Sequence, residues 1–182
     1  MNFADKVTSI RIILIPGFIS LLIYSRYHPL LKWYALGVFT IAVLTDFFDG
    51  MVARIKKEKS ELGQIIDPLA DKLLLLSAFI SLYLLGFNIY LWLVLVVVSR
   101  DLVILFGAAV LHFLKITVAI SPSMWGKFTT FFQMATVLWI LTGFAGSFLI
   151  SIVTVIITLV SGTDYFLRGV RAFNAGINSS GR

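Results

Sequence analysis

The chain has 182 residues, of which 59% are hydrophobic and only 13% are charged, and its mean hydropathy is +0.99. Soluble domains are closer to half apolar and a quarter charged. The composition therefore excludes a soluble globular enzyme and a disordered chain, and the absence of cysteine excludes a disulfide scaffold. Fifteen lysines and arginines oppose nine carboxylates, an excess that in a membrane protein indicates cytoplasmic loops rather than nucleic-acid binding.

Six apolar stretches follow one another without a soluble linker between them. A transmembrane helix needs about 20 apolar residues, so the pattern predicts an all-α integral membrane protein with six transmembrane helices. We expect a single domain over residues 1–173 and a flexible C-terminal tail over 174–182, which is rich in Asn, Gly and Ser. The stretches cover residues 7–25, 33–53, 69–87, 89–114, 124–144 and 147–167.

The distribution of basic residues predicts the orientation of the chain. The segments after the second and fourth stretches and the C-terminal tail carry most of the lysines and arginines, whereas the opposite loops carry only Arg26 and Lys32. Cytoplasmic loops are enriched in basic residues, so both termini are expected in the cytoplasm. No targeting extension precedes the first stretch, so the expected location is the plasma membrane of a bacterial or archaeal cell.

Four aspartates occur where an apolar bundle should avoid charge. Asp46 and Asp49 end the second stretch, and Asp67 and Asp71 begin the third. On a helix the first pair is ~60° and ~4.5 Å apart and the second pair ~40° and ~6 Å apart, so each pair shares one face. Pro68 favours a helix start near Asp67, which predicts a hairpin with all four carboxylates at its cytoplasmic end.

Four carboxylates in a low-dielectric setting repel one another and require positive charge. Arg54, Lys57 and Lys72 are near in sequence and could form an ion-pair network with them. Oxygen ligands without His or Cys instead favour Mg²⁺, Mn²⁺ or Ca²⁺, and four aspartates can bridge two such ions at ~3.5–4 Å to promote displacement at phosphorus. Small residues nearby permit close approach of a ligand, although they are also typical of helix packing. These residues are Gly50, Ala53 and Gly63.

Residues 46–71 read DFFDGMVARIKKEKSELGQIIDPLAD. This string resembles the signature of the CDP-alcohol phosphotransferase family, which is D-x-x-D-G-x-x-A-R, eight residues, then G-x-x-x-D-x-x-x-D. Every fixed position is met, and the family fold of six transmembrane helices would cover essentially the whole chain. The matching residues are Asp46, Asp49, Gly50, Ala53, Arg54, Gly63, Asp67 and Asp71.

The resemblance implies a reaction in which a hydroxyl of an acceptor alcohol attacks the lipid-side phosphorus of CDP-diacylglycerol and CMP leaves. It also implies two Mg²⁺ ions, with Mn²⁺ as a substitute, an active site at the cytoplasmic face, and a homodimer among membrane lipids with no nucleic-acid partner. The implied metal ligands are Asp46, Asp49, Asp67 and Asp71, and Asp71 is also the catalytic base. The implied surface for the nucleotide of the CDP-lipid consists of Asp49, Gly50, Ala53, Arg54 and Gly63.

Segments outside the motif indicate which acceptor alcohol the resemblance implies. The N-terminal ADKVTSIRIILIPGF, the string GQIIDPLADK and the later GKFTTFFQM at 126–134 resemble the branch of the family that makes phosphatidylglycerophosphate from glycerol 3-phosphate. That branch more usually has Glu after the arginine of the fourth stretch, whereas this chain has Arg100 followed by Asp101. The Arg-Asp pair resembles the cardiolipin synthases, whose acceptor is phosphatidylglycerol. Glycerol 3-phosphate is therefore the expected acceptor, and phosphatidylglycerol or another alcohol of the family is the alternative.

Either acceptor carries a phosphate and needs a cation near the metal. Arg100 is the first candidate, because it lies inside an apolar stretch, where an uncompensated charge is costly. An ion pair with Asp101 or with an acid on another helix would also account for a charge at this depth. Lys127 is the second candidate, with snorkelling to headgroups as its alternative. Arg11 is the third, with positive-inside anchoring as its alternative. Asp164, in the sixth stretch, is expected to be a buried structural partner.

A cation transporter is the remaining hypothesis from a different functional class. Intramembrane acids mark ion pathways, and four aspartates could form a permeation site. This hypothesis leaves the fixed spacing of Gly50, Ala53, Arg54 and Gly63 unexplained. It also requires a polar path to the outer face, where the second and third stretches are apolar.

Overall fold

The computed structural model describes residues 3–56, 61–113 and 124–180, and within these ranges it describes the side chains of 13–45, 72–107 and 124–171. The described chain forms six helices and no strand, which confirms the predicted all-α architecture. The helices are α1 Phe3–Tyr24, α2 Leu30–Lys56, α3 Glu61–Leu84, α4 Leu91–Phe113, α5 Met124–Thr142 and α6 Ser147–Ser180.

Two helices extend further than the apolar stretches predict. The expected start of the third helix near Asp67 is wrong, because α3 begins at Glu61. Pro68 is the eighth residue of α3, where it lacks an N–H and crowds the carbonyl of the preceding turn. The residues before it, Glu, Leu and Gln among them, are good helix formers, and the helix extends through them. The sixth helix continues to Ser180, so helical backbone covers most of the expected tail, and the flexibility of that tail stays a prediction.

The chain divides into two compact units, and the first consists of Met1–Ile89 and Met134–Ser147. In this unit α1 packs against α2 and α3. The apolar contact of α2 comes from Ala35, Phe39 and Ala42, all buried and spaced four and three residues apart, as one helical face requires. Phe39 meets Phe18 of α1 with ring centroids 5.4 Å apart. Burial of these faces is the main stabilising contribution to the unit.

The end of α3 has the hydrogen bonds of a Schellman motif. The Phe87 amide donates to the Leu82 carbonyl at 3.0 Å and the Gly86 amide to the Tyr83 carbonyl at 3.0 Å. This pattern requires a left-handed residue at the position after the cap, and Gly86 has φ of 75°. The glycine thus ends the helix and satisfies carbonyls that would otherwise lack a partner.

We predict that Gly86→Ala destabilises the protein by about 1–2 kcal/mol, because a Cβ in the left-handed region meets the following carbonyl. A Cβ built there is 3.9 Å from the nearest side-chain atom, on Arg26, so crowding adds little. Gly37→Ala is the control, since Gly37 lies inside α2 with nothing within 4 Å of its Cβ position, and alanine is favoured in a helix interior by roughly 0.5–1 kcal/mol. Thermal unfolding of both variants measures the difference, and equal midpoints would contradict the prediction.

The second unit consists of Tyr90–Gln133 and Phe148–Arg182. One face of α6 in this unit is buried and made of small hydroxyl side chains at intervals of three and four residues. Hydrogen bonds connect it to α5: the Thr129 hydroxyl donates to the Ile157 carbonyl at 3.3 Å, and the Thr154 hydroxyl to the Phe132 carbonyl at 3.4 Å. Small hydroxyl residues allow close helix packing in an apolar setting. The face consists of Ser151, Thr154, Thr158 and Ser161.

The outer surfaces of the described helices are strongly apolar. Phe106, Leu149 and Phe166 are 70%, 69% and 65% exposed, an arrangement expected for helices whose solvent is lipid. Among the described residues one helical stretch, Ser147–Arg171, is long and apolar enough to cross a membrane. Shorter apolar helical stretches are Ile13–Tyr24, Leu30–Thr45 and Lys72–Leu84.

Candidate active site

The four motif aspartates lie on two helices. Asp46 and Asp49 are near the end of α2, and Asp67 and Asp71 are in the first half of α3. Each pair is therefore carried by continuous helical backbone, with the ~60° and ~40° separations that place its members on one face. The side chains of all four are outside the described ranges, as are those of the nucleotide-site candidates Gly50, Ala53, Arg54 and Gly63 and of Arg11.

Where side chains are described, no group of three or more His, Asp or Glu residues lies close enough to hold a metal ion. The four aspartates fit a divalent ion by the chemistry of their donors, since carboxylates without imidazole or thiolate suit Mg²⁺ and Mn²⁺. The motif on α2 and α3 is therefore the candidate metal site.

Arg100 of α4 is described in full, and it is held on two sides. Its Nη1 donates to Oδ1 of Asp101 at 2.6 Å, and its Nη2 donates to the Ser161 hydroxyl of α6 at 2.6 Å. The side chains of Arg100 and Asp101 are 8% and 0% exposed. The ion pair with Asp101, which was the alternative explanation of Arg100, is confirmed. It offsets the cost of burying the guanidinium.

The pair with Asp101 leaves part of the guanidinium unused. The Nε atom of Arg100 is buried and forms no hydrogen bond with the described residues. A guanidinium has five N–H donors, and a buried donor without a partner costs about 1–3 kcal/mol. Arg100 thus retains one buried N–H donor for which the described residues supply no acceptor.

The first turn of α5 lies against the same guanidinium. A Cβ built on Gly126 is 3.9 Å from Nη2 of Arg100, and one built on Gly162 of α6 is 3.5 Å from Cγ. Glycine on both neighbouring helices gives the arginine its space. Lys127 follows Gly126 and is exposed, so two of the three acceptor-site candidates lie on segments that meet within one unit.

The model of the CDP-alcohol phosphatidyltransferase family matches residues 1–161, which include the complete aspartate motif and Arg100. The chain belongs to the CDP-alcohol phosphatidyltransferase family. The family predicted from the motif is therefore confirmed. Its members are membrane-bound enzymes of phospholipid synthesis that use a divalent metal.

Several curated proteins resemble this family member over most of their length. A probable phosphatidylglycerophosphate synthase of Mycobacterium tuberculosis is 32% identical, with 93% of this chain and 82% of the relative covered. Proteins named CDP-diacylglycerol–glycerol-3-phosphate 3-phosphatidyltransferase are 32% identical in Aquifex aeolicus, with 94% and 97% covered, and 32% identical in Bacillus subtilis, with 94% and 96% covered.

Ser161 is a residue of this phosphatidyltransferase that sequence reasoning did not select. It is 61 positions from Arg100, so no local pattern pairs the two residues. The signal that was available is the hydroxyl face of α6, in which Ser161 follows Thr158 by three residues. That spacing identifies a buried polar face but gives no indication of which member accepts from an arginine.

We predict that Ser161→Ala destabilises the protein by about 1–3 kcal/mol, because it leaves a buried Nη2 donor of Arg100 without its acceptor. Ser99→Ala is the matched control, since Ser99 is exposed and its hydroxyl donates to the Val96 carbonyl of its own helix. A surface change of this kind alters stability by no more than ~0.5 kcal/mol. Denaturant or thermal unfolding in detergent measures both; a smaller loss for Ser161→Ala than for Ser99→Ala would refute the prediction.

Asp164 has a structural partner, as expected, but the pair is not deeply buried. Its carboxylate accepts from Nε of Arg168 at 3.0 Å, and the two side chains are 25% and 42% exposed. An exposed pair spaced four residues apart contributes only about 0.3–0.5 kcal/mol. The pair is separate from the Arg100 contacts and provides matched control variants for them.

Proposed function

We propose that this chain transfers a phosphatidyl group from CDP-diacylglycerol to glycerol 3-phosphate, giving phosphatidylglycerophosphate and CMP. The observation that carries the proposal is the complete eight-position motif on α2 and α3 in a chain matched by the family model. The names of the full-length relatives from Aquifex aeolicus and Bacillus subtilis support glycerol 3-phosphate as the acceptor.

The roles of the aspartates follow from their donor chemistry and helix positions. Asp46, Asp49 and Asp67 are proposed to hold two Mg²⁺ ions, with Mn²⁺ as a substitute, and Asp71 approaches the same ions. The ions would neutralise charge on the pyrophosphate and on the departing phosphate. Asp71 accepts the proton of the acceptor hydroxyl, which requires hydrogen-bond contact. The hydroxyl oxygen then forms a bond to the lipid-side phosphorus, while the bond from that phosphorus to the bridging oxygen breaks and CMP leaves.

The CDP group is proposed to lie over the small residues of the motif. Gly50 and Ala53 follow Asp49 on α2, and Gly63 is near the start of α3. Without large side chains these positions let the nucleotide approach the helix backbone. Arg54 can offer a planar, two-donor contact to a phosphate.

The phosphate of the acceptor is proposed to bind at Arg100, with Lys127 and Arg11 as further cations. Arg100 has a buried Nε–H without a partner among the described residues, and the first turn of α5 adjoins its guanidinium. The N-terminal turn of a helix favours an anion because its amides and dipole point toward it. These two features support a phosphate at this position.

The proposed topology has six transmembrane helices, both termini in the cytoplasm and the site at the cytoplasmic face of the plasma membrane. The basic residues after α2 and in the C-terminal half of α6, such as Arg168 and Arg171, support this orientation. We also propose a homodimer, on the family resemblance alone.

A second candidate function is the transfer of the phosphatidyl group to phosphatidylglycerol, which gives cardiolipin. One observation favours it, namely the Arg100–Asp101 sequence, which resembles that of the cardiolipin synthases. The two candidates share the donor, the metal site and the released CMP, so only the acceptor separates them.

Release of CMP from CDP-diacylglycerol tests the proposal directly. We expect purified protein with Mg²⁺ to release CMP when glycerol 3-phosphate is supplied and to show no release when phosphatidylglycerol is supplied instead. Addition of EDTA should stop the reaction, and Mg²⁺ or Mn²⁺ should restore it. Release with phosphatidylglycerol alone would establish the second candidate, and ion flux through liposomes without CMP release would establish a transporter.

A further inference from the structure

A small cleft of about 290 Å³ lies in the first unit, between the turn that joins α1 to α2 and the turn that follows α3. Two cationic side chains, Arg26 and Lys32, line it together with Trp33 and Leu85. The cleft is at the opposite end of α2 and α3 from the aspartate motif. From Lys32 to Asp46 the helix α2 extends for ~21 Å, at 1.5 Å per residue, so the cleft is separate from the candidate metal site.

The two cations of the cleft have no acidic counterpart at this end of the unit. Segments 25–34, 84–89 and 142–147 contain Arg26 and Lys32 and no aspartate or glutamate. Among the described residues, neither side chain forms an ion pair or a hydrogen bond. On the proposed topology this is the outer end of the helices, where basic residues are scarce. Two cations that converge on one cleft there indicate an anionic ligand.

Contacts with neighbouring turns hold both cations at the cleft. A Cβ built on Gly86, which follows α3, is 3.9 Å from Nη2 of Arg26. A Cβ built on Gly143, which follows α5, is 3.4 Å from Nζ of Lys32. The Lys32 ammonium also lies over the Trp33 ring, 5.4 Å from its centroid. The C-terminal end of a helix attracts a cation, which accounts for the position of each side chain but leaves its N–H donors without an acceptor.

Exposed tyrosine and tryptophan side chains surround the cleft end of the first unit, with Tyr27 and Tyr34 76% and 66% exposed. These residue types are enriched where a bilayer meets water, which is the depth of the phospholipid phosphates. Beyond the cleft, α2 and α3 present exposed apolar side chains such as Ile41 and Ile80. A phosphate in the cleft is therefore at headgroup level, with an apolar surface beneath it. The exposed aromatic residues are Tyr24, Tyr27, Trp33, Tyr34 and Tyr83.

We propose that this cleft binds the phosphate of an anionic phospholipid of the bilayer, with Arg26 and Lys32 as its cationic contacts. Hydrogen bonds from guanidinium and ammonium groups to phosphate are short and strong. The acyl chains run from headgroup level toward the bilayer centre along α2 and α3, in the direction of the surrounding leaflet, which on the proposed topology is the outer one. A soluble phosphate would meet the same cations but would leave the aromatic residues and the apolar surface unused.

Photolabelling of the full chain in phosphatidylcholine nanodiscs tests this proposal. The probe is phosphatidylglycerol with a diazirine near the ester end of one acyl chain, added without CDP-diacylglycerol, and the labelled residues are mapped by mass spectrometry. We expect labels concentrated on cleft residues such as Trp33, Leu85 and Phe87. An otherwise identical phosphatidylcholine probe should label them about tenfold less, a factor that 1.4 kcal/mol represents, because no carboxylate in the cleft offsets the repulsion between choline and the two cations.

Competition identifies the occupant of the cleft. Excess unmodified phosphatidylglycerol should displace the label, whereas inorganic phosphate should not. Equal labelling by the two probes, or labels spread evenly over all helices, would overturn the proposal whether or not any variant folds. Displacement by inorganic phosphate as effective as that by the lipid would show that the cleft takes free phosphate, which also overturns a lipid site.

Substitution of the two cations distinguishes a site from general electrostatic attraction. We expect Arg26→Gln with Lys32→Gln to abolish the preference for phosphatidylglycerol at the cleft, and Arg26→Lys with Lys32→Arg to retain it. Arg168→Gln with Arg171→Gln is the matched control, because it also removes two positive charges but lies in the second unit. An equal loss of preference in the control would show a response to net charge alone and would contradict the proposal.

The lipid site and the proposed function fail independently of each other. Asp71→Asn should lose CMP release but keep the phosphatidylglycerol label, because the motif and the cleft are at opposite ends of α2 and α3. Equal labelling by the two probes beside normal CMP release would overturn the lipid site alone. A label in the cleft without CMP release from the unaltered chain would refute only the function.

Discussion

Asp71→Asn is expected to abolish phosphatidyl transfer while CDP-diacylglycerol still binds. Asparagine has nearly the same shape as aspartate and keeps one oxygen for the metal, but it does not accept the proton of an attacking hydroxyl. Loss of a general base typically lowers the rate 10²–10⁴-fold, so we expect kcat to fall by about that factor. Single-turnover CMP release measures the chemical step, and binding of radiolabelled CDP-diacylglycerol with Mg²⁺ measures retention of the donor.

Asp164→Asn is the matched control for the Asp71 variant. Asp164 is also an aspartate on a helix of this chain, but it pairs with Arg168 and belongs to no part of the motif. We expect its activity to stay within about twofold of the unaltered chain, since a partly exposed pair of this kind contributes only ~0.3–0.5 kcal/mol. If Asp71→Asn loses donor binding and turnover to the same extent, Asp71 is a metal ligand only. If turnover is retained, another group accepts the proton.

Arg100→Gln is expected to raise the KM for glycerol 3-phosphate much more than the KM for CDP-diacylglycerol. A hydrogen bond to a charged group contributes about 1.5–3 kcal/mol, which corresponds to roughly 10–150-fold in affinity. Initial rates of CMP release at varied acceptor and varied donor concentrations separate the two effects. Arg168→Gln is the control, because it removes an arginine of the same unit that is bound to Asp164 rather than Asp101.

A double variant distinguishes acceptor binding from a general loss of structure. Arg100→Gln alone removes the guanidinium from the buried Asp101, which costs several kcal/mol of stability when one partner of a buried pair is lost. Arg100→Gln with Asp101→Asn replaces the ion pair by two neutral amides and should recover much of that stability. We expect the raised acceptor KM to persist in the double variant. An acceptor KM that returns to normal together with stability would show that Arg100 has only a structural role.

The six helices could be predicted because their cause is local. Each helix contains a long run of apolar residues, and apolar runs of this length favour a helix over a strand. The ends of the helices were predicted less accurately than their number. The third helix begins at Glu61, not near Asp67, and the sixth continues to Ser180. Polar turns at helix ends lack the apolar signal, so the limits of the apolar stretches underestimate helix length there.

The contacts of Arg100 show what sequence reasoning lacked. Adjacent residues on a helix are ~100° apart and do not face each other, so the pair with Asp101 could be predicted only as one alternative, beside an acid on another helix. In the structure the guanidinium also donates to Ser161 of α6 and lies beside Gly126 of α5. The contact with Ser161 and an apolar groove lined by α4 and α6 exist only where two helices distant in sequence lie side by side.

The sequence by itself determined the membrane character of the chain, its helical architecture and the family. The membrane character follows from the apolar composition. The family could be identified because the eight fixed positions of the motif all lie within the continuous segment 46–71, so the sequence alone shows their spacing. Only the tertiary structure decided how the scarce charge inside the bundle is used. Arg100 is neutralised by Asp101, held by Ser161 and placed at the wall of an apolar groove, because these contacts depend on the packing of α4 against α6 rather than on any local pattern.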